Sequence, residues 1–152
     1  MLGPMLNVHR SIQHALDWDT LSGEDPTLGS ELGKAWISAA HDNGVMAVPR
    51  AFGLAEQDPL HLLGGKSNST LWDVYYPPFQ AAVSAGVGGI MCAAREENGL
   101  WACRDSALIN RDLRGIMGFK GMVISDVGAA RDDFAYASSF QRGLDVSLDS
   151  PK

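Results

Sequence analysis

A chain of 152 residues is long enough for one domain with a genuine core, which at this size buries about two-thirds of its unfolded surface, and too short for a second full domain. With 45% hydrophobic and 20% charged residues it is not a disordered chain, and no uninterrupted apolar run reaches membrane-spanning length. A formal net charge of -6 with no basic stripe argues against nucleic acid as a partner, since such binders cluster Lys and Arg to release phosphate counterions.

The N-terminal MLGPMLNVHRS lacks the charged start, apolar stretch and small-residue cleavage site of a secretory signal and reads like the middle of a domain. Residues 1–27, rich in polar and turn-forming types, are expected to be irregular. Leu32, Trp36, Ile37 and Ala40 recur at helical spacing within Gly29 to Asn43, a segment that stops at Asn43-Gly44. The acids of Glu24-Asp25-Pro26 are placed to cap it. Val45 to Phe52 then reads as a strand, and residues 53–67 as a loop of the length that carries sites. Ser69 to Ala85 places Leu71, Val74, Tyr75, Ala82 and Ala85 on helical spacing, with an interruption at Pro77-Pro78.

Val87 to Ala94 is a second strand, Glu96-Glu97 a solvated turn, and Asp105 to Met117 a helix that stops before Gly118. Gly121 to Val127 is a third strand, Ala130 to Arg142 a helix, and Gly143 to Asp149 a fourth strand. These strand runs are apolar on successive positions rather than alternating, as in strands buried on both faces of a parallel sheet. The order predicts an α/β fold of parallel (β/α) units joined by right-handed crossovers. Two architectures fit: half of an eight-stranded barrel, which takes about 250 residues when whole, or a small doubly wound domain complete in itself.

In either case ligands bind beyond the carboxyl ends of the strands, so Arg50, Arg95 with Glu96, Asp126 and Asp149 are expected to share one rim. By pattern alone Asp126 is a capping carboxylate after a buried strand. His14, His41 and His61 lack metal-ligand spacing, and Gly86, Gly88 and Gly89 precede a strand rather than follow one, so neither a metal nor a dinucleotide cofactor is expected. Trp36, Trp72, Phe79 and Phe119 are assigned to the core. Cys92 and Cys103 either close a short disulfide loop or remain two reduced core thiols. That pair and the sequon Asn68-Ser69-Thr70 point toward the secretory route or an extracellular location.

Several segments, in order, carry a family resemblance: GPMLNVHR, GEDPTLGSELGKAWISAAHDNGVMAVPRAFGLAEQD, YYPPFQAAVSAGVGGIMCA, ENGLWAC, LRGIMGFKGMVISDVGA and GLDVSLD. They cover most of the chain, which resembles the N-terminal barrel domain of glycoside hydrolase family 3. The resemblance implies that residues 1–152 are a partial domain, the C-terminal half of a TIM-type barrel, with the remainder of the barrel and a C-terminal domain lying elsewhere. It implies a β-glucosidase-like, exo-acting, retaining glycosidase acting on a β-linked oligosaccharide or glycoside. It places the catalytic nucleophile at Asp126 and the acid/base outside this segment. A retaining enzyme needs one carboxylate to attack the anomeric carbon and a second carboxyl, roughly 5 Å away, to protonate the leaving oxygen.

The resemblance also places sugar-binding positions at Arg50, Trp18 and His61, and gives Arg10, beside His9, either a role in supporting the site's loop or a sugar contact. This chain departs from the family pattern at several of those positions. Arg50-Ala51 stands where the family has Lys-His, and Leu16 and Asp19 where it has Arg and Glu. The Arg that follows an Asn-Glu-Gln-Glu segment in the family falls near His61, with AEQD standing for that segment, Ala93-Ala94-Arg95 replaces Ser-Tyr-Asn, and Val127 replaces a Trp. The alternatives are a catalytically silent barrel fragment with weak or no carbohydrate binding, and an independent small α/β module unrelated to sugars. Half a barrel on its own leaves sheet edges unpaired, so the isolated chain is expected to be oligomeric or poorly folded.

Overall fold

The protein, a computed structural model, is described over residues 1–10, 19–53, 67–97, 100–129 and 133–149. Its elements run β1 (Leu2–Met5), α1 (Pro26–Asp42), β2 (Val48–Arg50), the single turn α2 (Asn68–Thr70), a π-helical stretch (Leu71–Tyr75) and α3 (Pro77–Ser84). There follow β3 (Gly89–Cys92), β4 (Glu96–Glu97), β5 (Leu100–Trp101), a 3-10 turn (Ala102–Arg104), a second π-helical stretch (Ala107–Ile116), β6 (Met122–Ser125) and α4 (Asp133–Gln141).

Each parallel strand lies beside its successor in the chain, the neighbour order of a (β/α) barrel. β1 pairs with β2, ending at Met5 opposite Arg50. Past its end β2 meets β3 through a parallel bridge from Phe52 to Cys92. β3 and β6 pair from Gly89–Met122 through Cys92–Ser125, and Val146 bridges to Ile124 on the far side of β6. The α/β class and the parallel units are as the apolar runs predict.

Three elements differ from expectation. β1 occupies a stretch expected to be irregular, because Gly3 and Pro4 are poor strand formers; Pro4 has no N–H to give, and the ladder slips between Leu2 and Gly3, both of which face Val48. The expected strand Gly143 to Asp149 is reduced to the bridge at Val146. There the Asp145 carboxylate accepts the Val123 N–H at 2.7 Å, a side chain doing what a ladder carbonyl does elsewhere, and Arg114 ties Asp145 down at 2.6 Å. The expected turn at Glu96-Glu97 is a short antiparallel ladder, Glu96 opposite Trp101 and Glu97 opposite Leu100. The intervening Asn98-Gly99 dipeptide is the strongest short-range hairpin signal a sequence carries.

Asp25 caps α1, its Oδ1 accepting the N–H groups of Thr27 at 2.7 Å and Leu28 at 3.2 Å, with Pro26 at the first helical position. The buried face of α1 is Gly29, Gly33 and Ile37 rather than a stripe through Leu32, which is 43% exposed. The reason is close approach: a Cβ at Gly29 would lie 1.9 Å from Ser22 Oγ, and one at Gly33 3.0 Å from Leu6 Cδ2. The core around β2 and β3 is aromatic, with Phe52 stacked on Tyr76 at 5.5 Å and edge-on to Phe79 at 5.1 Å. Phe79 and Phe119 are buried as expected, and Trp36 and Trp72 pack partly buried against that core. Beneath it the Tyr76 hydroxyl donates to the buried Asp112 carboxylate at 3.0 Å, which Arg111 also grips at 2.6 and 3.0 Å. Burial pushes the Tyr76 phenol well above its ordinary pKa, and the adjacent Asp112 charge adds to the rise.

Candidate active site

Asp126 is delivered by β6 to the carboxyl end of the parallel ladder, one residue past the Cys92–Ser125 pair. Ser125 is fully buried while Asp126 is half-buried, so the chain passes from core to rim between these two residues. Its mount is built almost wholly from backbone groups. The Asp126 N–H donates to the Cys92 carbonyl at 3.2 Å, and the Ala129 N–H closes the turn onto the Asp126 carbonyl at 3.2 Å. Within the side chain, Oδ1 accepts the Val127 N–H at 2.7 Å, and Oδ2 accepts no hydrogen bond among the described residues. One oxygen is therefore anchored and the other is presented.

Asp149 reaches the same turn. Its Oδ1 accepts the N–H of Gly128 at 2.8 Å. The residues leading to it wrap around Ser125, whose Oγ accepts the Leu148 N–H at 2.9 Å and lies 3.4 Å from Ser147 Oγ. Of the expected rim, the structure thus brings Asp126 and Asp149 onto one turn. Arg50, the last residue of β2, is half-buried and directs Nη2 to Asp19 Oδ2 at 3.4 Å. Arg95, past β3, donates through Nη1 to the Ala94 carbonyl at 3.1 Å. Among the described residues no salt bridge joins Asp126 to either cation. Trp18 and His61 lie outside the described residues, as do Leu16 and the AEQD segment.

Two features that the sequence alone leaves open or hidden are settled here. Cys92 and Cys103, both fully buried, form a disulfide with Cα atoms 5.3 Å apart. It closes the segment that carries Arg95 and the β4–β5 hairpin, and it is anchored in the same residue whose carbonyl receives the Asp126 N–H. Asn7, in the NVHR segment, grips the exit of β2: its Nδ2 donates to the Ala51 carbonyl at 2.8 Å and its Oδ1 accepts the Ala51 N–H at 2.7 Å. Asn7 is 2% exposed, and its own carbonyl accepts the Thr20 hydroxyl. The signal for it is an amide side chain set between the apolar Leu6 and Val8, where a buried polar group must find partners. The residue that Asn7 holds follows Arg50 directly, so the backbone that carries the Arg50 side chain is fixed by a side chain from the neighbouring strand unit.

A carboxylate at the carboxyl end of a parallel strand, with one oxygen held by backbone N–H and the other open, is suited to act as a nucleophile or as an acceptor for a substrate hydroxyl. The family model described as the glycosyl hydrolase family 3 N terminal domain matches residues 1–150. Beta-glucosidase BoGH3A of Bacteroides ovatus is 35% identical over 153 residues, an alignment covering 99% of this chain and 20% of that protein. A probable beta-glucosidase L of Emericella nidulans is 32% identical over 150 residues, covering 97% of this chain and 20% of that one. Among solved structures, DesR, a beta-glucosidase from Streptomyces venezuelae in complex with D-glucose, matches with a TM-score of 0.82 and 30% identity over 96% of this chain and 18% of its own. The beta-D-glucoside glucohydrolase from Trichoderma reesei matches with a TM-score of 0.84 and 29% identity, covering 97% of this chain and 21% of that one. The chain spans about a fifth of the length of these proteins. With a family model matched over nearly its whole length, the chain belongs to glycosyl hydrolase family 3, as part of that family's N-terminal domain.

Proposed function

We propose that this chain is part of a retaining, exo-acting glycosidase of the β-glucosidase type, with Asp126 as the nucleophile that attacks the anomeric carbon of a β-linked glycoside. The observation that carries this reading is the position of Asp126 at the end of β6, its Oδ1 held by the Val127 N–H and its Oδ2 open to the rim. In such a reaction the carboxylate forms a covalent glycosyl intermediate while a second carboxyl protonates the leaving oxygen; water then releases the sugar. That second carboxyl and the rest of the barrel belong to the remainder of the protein. The exposed Met1, Leu2, Val45 and Met46 mark a margin for that remainder to cover. Arg50, Trp18 and His61 contact the sugar in this reading, and the Cys92–Cys103 disulfide supports a secretory or extracellular location.

The test is hydrolysis of an aryl β-glucoside by the protein, with Asp126→Asn as control. Turnover that drops at least a thousandfold in the Asn variant, on the order of the loss when a covalent nucleophile is removed, supports the assignment. An Asn variant that keeps its turnover refutes it. A second reading, a silent fragment, is favoured by the rim itself: Ala51 offers no imidazole beside Arg50, and Val127 stands 67% exposed in place of an aromatic ring. Absence of any turnover in the protein selects this second reading.

A further inference from the structure

We infer that Asp149 is a positioning residue for Asp126, acting through the turn that follows it; this rests on the reading of Asp126 as the nucleophile. The turn Asp126 to Ala129 has one N–H per residue, and their partners differ in kind. Those of Val127 and Ala129 are satisfied within the turn, and that of Asp126 by the Cys92 carbonyl in β3. The Gly128 N–H alone goes to a side chain from a distant part of the chain, Asp149 Oδ1 at 2.8 Å.

Gly128 has φ of 85° and is buried, a conformation that glycine adopts without steric penalty and that therefore has to be held by its surroundings. The strap that holds it is itself fixed. The Ser125 N–H donates to the Val146 carbonyl at 2.9 Å, the Leu148 N–H to Ser125 Oγ at 2.9 Å, and the Asp149 N–H to Ser147 Oγ at 3.1 Å. The nucleophile's turn is thus clamped from two sides, by β3 through a carbonyl and by the Val146 to Asp149 segment through a carboxylate. Releasing Gly128 frees the peptide next to the Val127 N–H, and with it the direction of Asp126 Oδ1. A charged acceptor on a backbone N–H is the stronger kind of hydrogen bond. The consequence is that Asp149 holds the direction in which the Asp126 carboxylate presents its unbonded oxygen.

The test compares Asp149→Ala with Asp149→Asn in the protein, by two readouts. Amide hydrogen exchange over residues 126–129 is expected to rise about tenfold to a hundredfold in the Ala variant, the loss of one hydrogen bond to a charged group, and to rise only about severalfold in the Asn variant, whose neutral side-chain oxygen still accepts. Turnover of an aryl β-glucoside is expected to show a kcat lowered about tenfold or more in the Ala variant with KM unchanged, and recovery in the Asn variant. Unaltered exchange in the Ala variant, or raised exchange with unaltered kcat, overturns the inference. An Asn variant as impaired as Ala overturns it in favour of a role for the charge. Loss of the Asp126 reading shows separately, as turnover that survives Asp126→Asn, while the exchange arm still decides whether Asp149 holds the turn.

Discussion

Reducing the Cys92–Cys103 disulfide should lower stability by an amount that the structure allows to be worked out. The crosslink spans a sequence separation of 11 residues. In the chain-entropy description, closing a loop of that size removes about 9 cal/mol/K from the unfolded ensemble, or about 3 kcal/mol at 25 °C. Both sulfurs are fully buried, so reduction leaves them in the core and isolates the crosslink from any loss of packing. The β3–β6 ladder, in which Cys92 faces Ser125, does not depend on the S–S bond. The expected effect therefore arises in the unfolded state, and the folded circular dichroism spectrum should not change. Urea unfolding with and without a thiol reductant, at one protein concentration, reads it directly. With a slope of about 2 kcal/mol/M the midpoint should fall by about 1.5 M. Full reduction, verified by thiol titration, with an unmoved midpoint refutes the reasoning.

Asn7→Ala removes both hydrogen bonds to the Ala51 peptide and strands a buried N–H and a buried carbonyl, at about 1 to 3 kcal/mol each. Urea unfolding should show a loss of about 2 to 6 kcal/mol, and Asn7→Asp, which keeps the acceptor but sets a buried charge against the Ala51 carbonyl, should lose at least as much. Gly29→Ala adds a methyl 1.9 Å from Ser22 Oγ and 2.9 Å from its Cα. That clash outweighs the roughly 1 kcal/mol that alanine gains over glycine inside a helix, so the midpoint should fall. Gly33→Ala meets only the end of the flexible Leu6 side chain at 3.0 Å and should be far milder; equal effects at the two sites refute the packing argument. Tyr76 has its folded pKa raised above its unfolded value of about 10, so its contribution is whole below about pH 10 and is lost as pH rises. Above that pH the wild type should lose up to about 1.4 kcal/mol per pH unit more steeply than Tyr76→Phe, measured by unfolding between about pH 9 and 11.

The sequence shows most clearly what the core demands and least clearly what single side chains do for the backbone. Runs such as GMVIS and GGIMC announce buried parallel strands because both faces are covered, and the cap Asp25 is visible because it stands just before Pro26 and a helical pattern. β1 is hidden by Gly3 and Pro4, residues that signal turns and that here sit in a strand paired, among the described residues, with β2 alone. Val146 is read as part of a full strand, although the Asp145 side chain interrupts the regular ladder. At the site, Asp126 is legible from its place after an apolar run, and its nucleophile role only from family resemblance. Asn7 escapes notice, and Asp149 is legible only as a rim residue, for a shared reason: each acts on a peptide group about 20 or more residues away, and spacing patterns report only neighbours.

The Asn7 grip bears on how successive (β/α) units stay aligned. β1 and β2 slip against each other at their amino ends, where Leu2 and Gly3 share Val48, yet they are riveted at their carboxyl ends by two hydrogen bonds from one amide. Any one-residue shift between the units would break both bonds at once, so misalignment is tolerated only at the end of the sheet remote from Asp126. The barrel wall is thus ranked in precision along its own strands, loose at the foot and keyed at the mouth, and substitutions at the exposed Leu2 should be absorbed without moving Arg50.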